Sequence, residues 1–284
     1  MNIRRQVEII RVAEEISKII PSFCGVTLGG SRAHGHDDEL SDVEMYFYSN
    51  TDIPKLEDID ICMKKLGAKH KRCDLYLWNM FPWGPHSFFV INDLYFEVGY
   101  RVLSEVHRKI NAYLLGNVEP TTDCHDLGLG YVYSGLASSV SSERILIKTG
   151  NELDLLKNRA KKFPVELKKA LKKEYLDTAN SLLYGKMKNA VGRKDVFLYD
   201  ILSSRVIRAL MIMAFACSNT HFPGDKWNEV LLMETEWNDT KQFIDLIKKH
   251  ASYNSFDQEE LEKKYAVLID AYLLIERDFQ WEKN

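Results

Sequence analysis

The sequence is short of paired cysteines, of long apolar runs and of net charge, and each shortage closes off a class of protein. Five cysteines (Cys24, Cys62, Cys73, Cys124 and Cys217) are scattered over 284 residues with no CxxC pair among them. Nothing there supports a disulfide framework or a structural zinc site, and reduced thiols in a cytoplasm are the expectation. No window approaches 18 uninterrupted apolar residues; the most apolar, Ala209 to Cys217, is half that length, so no membrane partner is expected. The opening Met1-Asn2-Ile3-Arg4-Arg5 runs into mixed charged and apolar residues without the continuous apolar core of a signal peptide. A soluble, cytoplasmic protein is expected. The 38 basic and 41 acidic residues nearly cancel, to −3, which argues against a surface built throughout for nucleic acid but leaves local patches open. Internal repeats and low-complexity tracts are also missing. With 45% hydrophobic and 28% charged residues, the chain has the means for a packed core and the length for two modest domains.

Local patterning divides the chain in two. Residues Ile3 to Ile20 carry apolar positions at helical spacing and stop at Pro21. Phe23–Leu28 reads as a strand entering a Gly-Gly-Ser turn, Asp42–Tyr48 as a second strand, and Lys55–Leu66 as an amphipathic helix closed by Gly67. Cys73–Trp78, Ser87–Ile91 and Leu94–Tyr100 read as three more strands, the last two joined by Asn92-Asp93 as a hairpin. A mixed sheet of about five strands follows. After Arg101 strand-like runs give way to helical spacing. The helices expected are Leu103–Leu115, a segment around Tyr131–Leu136, Glu152–Lys161, Val165–Lys188, Asp195–Cys217, Lys241–His250 and Gln258–Phe279. The fold expected is α+β, with a sheet domain over residues 1–110 and a helical bundle over 111–284, the break falling between Arg101 and Glu119.

The most informative stretch runs from Gly29 to Met45. Gly29-Gly30-Ser31 forms a flexible turn whose backbone N–H groups can face a phosphate. About ten residues on, Asp42 and Glu44 alternate with Val43 and Met45, which puts both carboxylates on one face of a strand. Two carboxylates side by side repel unless a cation sits between them, and a hard divalent ion is the usual solution. A third carboxylate would complete a phosphoryl-transfer site. Glu97 is the best candidate, isolated in an apolar and aromatic strand (Tyr95, Phe96, Val98, Tyr100) where burial without a partner is costly. A phosphate cradle beside paired acidic ligands describes a metal-dependent handler of nucleoside triphosphates.

Gly29-Gly30-Ser31 followed by Asp42-Val43-Glu44-Met45 resembles the signature of the DNA polymerase β-type nucleotidyltransferase superfamily. The wording Ser41-Asp42-Val43-Glu44-Met45 ahead of a helical second half is similar to the aminoglycoside and lincosamide nucleotidyltransferases and to related uncharacterised bacterial proteins. The resemblance implies a nucleotidyltransferase-type sheet with a helical domain that binds substrate and nucleotide. It implies that Gly30 and Ser31, with Gly29 beside them, hold the nucleotide phosphates; Arg32, next in sequence, reads either as a phosphate contact or as half of a surface salt bridge. Asp42 and Glu44 would bind Mg²⁺, two ions with the nucleotide in place, and Glu97 would bind metal or act as general base. The implied reaction moves a nucleoside monophosphate, AMP from ATP, to a hydroxyl of a small polar acceptor and releases pyrophosphate. Aminoglycoside and lincosamide antibiotics are the candidate acceptors, antibiotic resistance is the implied role, and a homodimer is compatible. The alternatives are transfer to a protein or an RNA, and a catalytically silent nucleotide-binding, antitoxin-like regulator. Glutamate at 44, where many members carry aspartate, matches the aminoglycoside-like branch.

The triphosphate also calls for cations. Arg205 and Arg208 sit in a helix too apolar to be a free surface, where an arginine needs an anion, and Lys226 follows a Pro-Gly turn; all three are candidate phosphate contacts. Between Lys157 and Lys194 there are 12 basic and 3 acidic residues, read as a solvated face, with an RNA surface as the sharper alternative. His34-Gly35-His36-Asp37-Asp38 lacks a distant metal partner, Gly128-Leu129-Gly130 follows no strand, and Cys124-His125 are too close in sequence to act as nucleophile and base. Trp78, Phe81 and Trp83 are candidates for a rim that stacks on a base.

Overall fold

Alternation around the acidic run sets the first strand pairing. In the computed structural model, which describes residues 3–74, 84–120, 133–226, 228–254 and 256–279, strand β1 (Phe23–Leu28) pairs antiparallel with β2 (Val43–Ser49). Strand β2 pairs parallel with β5 (Leu94–Val102), and β5 pairs antiparallel with β4 (His86–Ile91). The β4–β5 connection is Asn92-Asp93, with φ of 48° and 63°, the left-handed pair that a two-residue hairpin of type I′ demands. Strand β3 (Lys69–Asp74) pairs with β4, and β6 (Arg144–Lys148) pairs antiparallel with β1, giving the order β3-β4-β5-β2-β1-β6.

The sheet therefore has six strands, where the sequence pattern yields five. Strand β6 arises in a region read as wholly helical. Its apolar run, Ile145 to Ile147, is too short for periodicity to separate strand from helix, and pairing with β1 decides it. Strand β2 also begins one residue later than expected, at Val43, leaving Asp42 in the loop just before it.

The two faces of the sheet differ. One buries Val26, Leu28, Val43, Met45, Phe47, Phe89, Phe96 and Val98 against helices α1 (Ile3–Ser17) and, after α2 (Gly30–His34), α3 (Leu56–Lys65). Fully burying one such side chain stabilises by about 1.5–3 kcal/mol, so this layer anchors the sheet. The other face carries polar groups in three cross-strand rows. Glu44, Glu97 and Phe88 are in register; so are Thr27, Tyr46, Gly99 and His86; so are Gly25, Tyr48 and Arg101.

The chain forms two units, Met1–Ala112 with Pro120–Lys162, and Tyr113–Glu119 with Phe163–Asn284. Helix α4 (Leu103–Leu114) follows β5, while α5 (Ser134–Ser142), β6 and α6 (Glu152–Ala160) return to the sheet unit. The second unit is helical. It begins with one long helix built from α7 (Val165–Leu171), a π-helical turn (Lys172–Leu176), α8 (Asp177–Ser181), a second π-helical turn (Leu182–Met187) and α9 (Lys188–Arg193). Then come α10 (Val196–Cys217), α11 (Asn228–Met233), α12 (Thr240–Ser252) and α13 (Gln258–Asp278). Asp195 caps α10 by accepting from Leu198 N, and Asp257 caps α13 by accepting from Glu259 N and Glu260 N. The fold is α+β, with a six-stranded mixed sheet in the N-terminal half and helices in the C-terminal part. No helix among the described residues is long and apolar enough to cross a membrane.

Candidate functional site

Backbone register brings two of the three expected acidic residues, Glu44 and Glu97, together. Glu44 and Glu97 are Cα partners across the parallel β2–β5 pair, so their side chains leave the same face of adjacent strands. Glu44 is half-buried and the Glu97 side chain is 26% exposed, so both carboxylates reach solvent from a largely buried sheet. The Gly-Gly-Ser turn closes over Glu44. Gly29 N donates to the Glu44 carbonyl at 2.9 Å, and a Cβ at Gly30 would lie 2.3 Å from Glu44 Oε1. Gly30 also has φ of 57°, in the left-handed region. A glycine there is what lets the carboxylate rest on the turn. Ser31 is half-buried in the first turn of α2.

Asp42 is half-buried at the entry to β2. Its backbone carbonyl is held there by Arg32, for which the sequence leaves both a phosphate contact and a salt bridge open. The Arg32 side chain is 2% exposed. Its Nε donates to the Asp42 carbonyl at 2.7 Å, Nη2 to the Ser41 carbonyl at 2.7 Å, and Nη1 to Asp37 Oδ2 at 2.9 Å. The guanidinium fork pins the loop from 37 to 42 from inside.

Two aromatic residues flank the carboxylates, and neither stood out in the sequence. The Tyr46 hydroxyl donates to Glu44 Oε2 at 3.0 Å, and burial, together with the Glu44 charge, pushes that phenol well above its ordinary pKa, so it stays a donor. His86 is 1% exposed, with Nε2 at 3.6 Å from Glu97 Oε1 and Nδ1 at 2.7 Å from the Gly84 carbonyl. A carbonyl can only accept, so Nδ1 carries the proton and Nε2 presents its lone pair toward Glu97. Burial drives the imidazole down to about 3, so it is neutral at pH 7.

Below Tyr46 lies a buried ionic network. Arg101 Nη1 donates to Glu143 Oε1 and to the Tyr48 hydroxyl, both at 2.7 Å, and Arg101 and Glu143 are each 2% exposed or less. Glu143 accepts further hydrogen bonds from Thr27, Tyr48 and Ser139, each at 2.7 Å. Burial alone would raise the Glu143 pKa; Arg101 and the hydroxyl donors outweigh it and hold the group below its usual range.

Mg²⁺ suits hard oxygen donors and is commonly held by one or two carboxylates, with water and substrate phosphate completing the shell. Asp42, Glu44 and Glu97 supply oxygens of that kind. Among the described residues no three His, Cys, Asp or Glu side chains gather closely enough to hold a metal by themselves.

The remaining candidates belong to the helical unit. Arg208 on α10 has a side chain only 11% exposed, and its Nε donates to Asp225 Oδ1 at 2.9 Å, which supplies the anion an arginine on that apolar helix needs. Arg205 and Lys226 are exposed. In the basic stretch Lys169 and Lys173 are exposed, while Lys172 Nζ donates to the Phe279 carbonyl at 3.3 Å. Trp78, Phe81, Trp83, Cys124-His125 and Gly128-Leu129-Gly130 lie outside the described residues.

Residues 133–228, from the start of α5 to the start of α11, match a family described as a domain of unknown function (DUF4037). No curated protein matches the chain. Among solved structures, a nucleotidyltransferase-like protein from Exiguobacterium sibiricum is similar with a TM-score of 0.43 and 10% identity, over 95% of this chain and 73% of that one. That likeness is too loose for any residue role to be carried across.

Proposed function

We propose that the protein is a metal-dependent nucleotidyltransferase that moves a nucleoside monophosphate, AMP from ATP, to a hydroxyl of a small polar acceptor. One observation carries the reading: Glu44 and Glu97 stand in register on adjacent parallel strands, with the Glu44 carboxylate resting on Gly30 of a Gly-Gly-Ser turn. Carboxylates in register on neighbouring strands repel, and a hard divalent cation is a common way to join such a pair. A glycine-rich turn of this kind beside them can offer backbone N–H groups to a phosphate. Mg²⁺ bound there with the nucleotide would offset negative charge developing on the departing pyrophosphate. Asp42 and Glu44 provide its oxygen ligands. Glu97 is the third ligand or takes the proton from the attacking hydroxyl, which adds to the α-phosphorus as the bond to pyrophosphate breaks. Aminoglycosides and lincosamides are the acceptors to try first.

The test is to supply α-labelled ATP, Mg²⁺ and a panel of such acceptors and to follow pyrophosphate and labelled product. Release that depends on one acceptor, and that falls at least about 100-fold in Asp42→Asn and Glu44→Gln with the melting curve unchanged, is the expected result. Label on protein or RNA would redirect the acceptor class. Turnover unaffected by both substitutions would overturn the site.

A further inference from the structure

The middle row of the polar face is built around one ring. Tyr46 is 8% exposed and lies between two glycines on either side of its strand. A Cβ at Gly29 would sit 2.5 Å from Tyr46 Cε2, and a Cβ at Gly99 would sit 2.6 Å from Tyr46 Cδ1. Any larger residue at either position would displace the ring. The Arg101 guanidinium lies 3.6 Å from the ring centroid, at cation–π range, and His86 meets the ring edge-on at 6.1 Å and 85°. Arg101 is itself held by Glu143 and Tyr48.

We propose that Tyr46 is a positioning residue, seated between Gly29 and Gly99 and backed by Arg101, that fixes the Glu44 carboxylate for its ligand. The assignment rests on the metal-binding reading of Glu44. Four constraints on one ring leave its hydroxyl a single direction, and that direction is Glu44 Oε2. A guanidinium against the ring face draws electron density from the phenol and strengthens its O–H as a donor. A buried Arg101–Glu143 pair contributes little net stability compared with apolar packing of the same volume, so its place under Tyr46 is better explained by orientation than by folding energy. Groups that orient a ligand typically change metal affinity or activity by about 10–100-fold when removed.

Tyr46→Phe keeps the ring and removes only the hydroxyl. Mn²⁺ binding in the presence of a non-hydrolysable ATP analogue, followed by electron paramagnetic resonance, reads the effect without turnover. The wild type, Tyr46→Phe and Glu44→Gln are compared, with circular dichroism and melting curves on each. The expected result is Mn²⁺ affinity about tenfold weaker in Tyr46→Phe, an unchanged fold, and a larger loss in Glu44→Gln. In turnover, kcat should fall more than KM for the acceptor rises. Wild-type Mn²⁺ affinity in Tyr46→Phe alongside a loss in Glu44→Gln would overturn the assignment and leave the site intact. Undiminished affinity in Glu44→Gln would overturn the metal reading of Glu44, and the assignment with it.

Discussion

Gly29 and Gly30 are adjacent, yet their geometry assigns them different work. At Gly29 an added methyl meets the Tyr46 ring, which is buried and walled in, so the ring or the strand must shift. Gly29→Ala is therefore expected to lower stability by about 1–3 kcal/mol, measured by urea denaturation. At Gly30 the methyl meets the Glu44 carboxylate and pushes it off the position where Tyr46 holds it, a displacement at the far end of a side chain, and the left-handed backbone adds strain of about 1–2 kcal/mol. Gly30→Ala should cost no more stability than Gly29→Ala but should lose more nucleotide binding. Equal effects of the two on both measurements would contradict this division. The motif was legible because alternation and turn chemistry are local: Asp42, Glu44, Glu97 and the glycine turn are all read from neighbours in sequence. The direction of the Arg32 side chain is not legible locally; only the folded loop reveals the Ser41 and Asp42 carbonyls that accept from it. Tyr46, His86, Arg101 and Glu143 carry no local signal, since their meaning lies in contacts between segments far apart in sequence.

At the scale of elements, the long helix of the second unit shows what simple periodicity conceals. Leu167, Leu171, Tyr175, Ala179, Leu183, Met187 and Val191 are all buried, spaced four apart throughout. A regular α-helix has 3.6 residues per turn, so over the span from 167 to 191 the stripe would drift by about two-thirds of a turn. The two π-helical turns at Lys172–Leu176 and Leu182–Met187 each take up about one extra residue and keep the stripe on one face. The exposed Gly185 lies in the second of these turns, and a Cβ there would touch nothing. Deleting Gly185 should convert that turn to α-helix while both flanks keep their buried faces, at a cost below about 2 kcal/mol. Deleting the equally exposed Asp270 from the regular helix α13 should rotate every later residue by about 100° and cost more than about 4 kcal/mol. Thermal or chemical unfolding decides it; equal losses would contradict the account. Helix positions in this half were readable because their apolar spacing is strong. Strand β6 was not, because its identity comes from the edge of β1 rather than from its own five residues.

Across the whole molecule, buried titratable groups make stability depend on pH. His86 in the sheet unit and His250 in the helical unit are both nearly inaccessible, 1% and 4% exposed, and burial holds them down to about 3 and about 4. Unfolded, each titrates near 6.5, so between that value and the folded pKa the unfolded chain binds more protons than the native one. Stability is then full above pH 6.5 and declines as pH falls, by about 1.4 kcal/mol per pH unit for each histidine. Glu143, held below its ordinary range, adds loss in the same direction at still lower pH. Urea unfolding at pH 7.5 and pH 5 should show a loss of about 2 kcal/mol for each histidine, and replacing His250 with Gln should flatten its share. A flat profile from pH 7.5 to 5 would contradict the buried, neutral state of both groups. The central claim meets its most direct test in a crystal of the protein grown with Mn²⁺ and a non-hydrolysable ATP analogue, mapped by anomalous scattering. The account predicts a peak about 2.2 Å from carboxylate oxygens of Glu44 and its neighbours Asp42 or Glu97, with the analogue's phosphates against Gly29 to Ser31. A bound analogue whose metal lies away from all three carboxylates would contradict it.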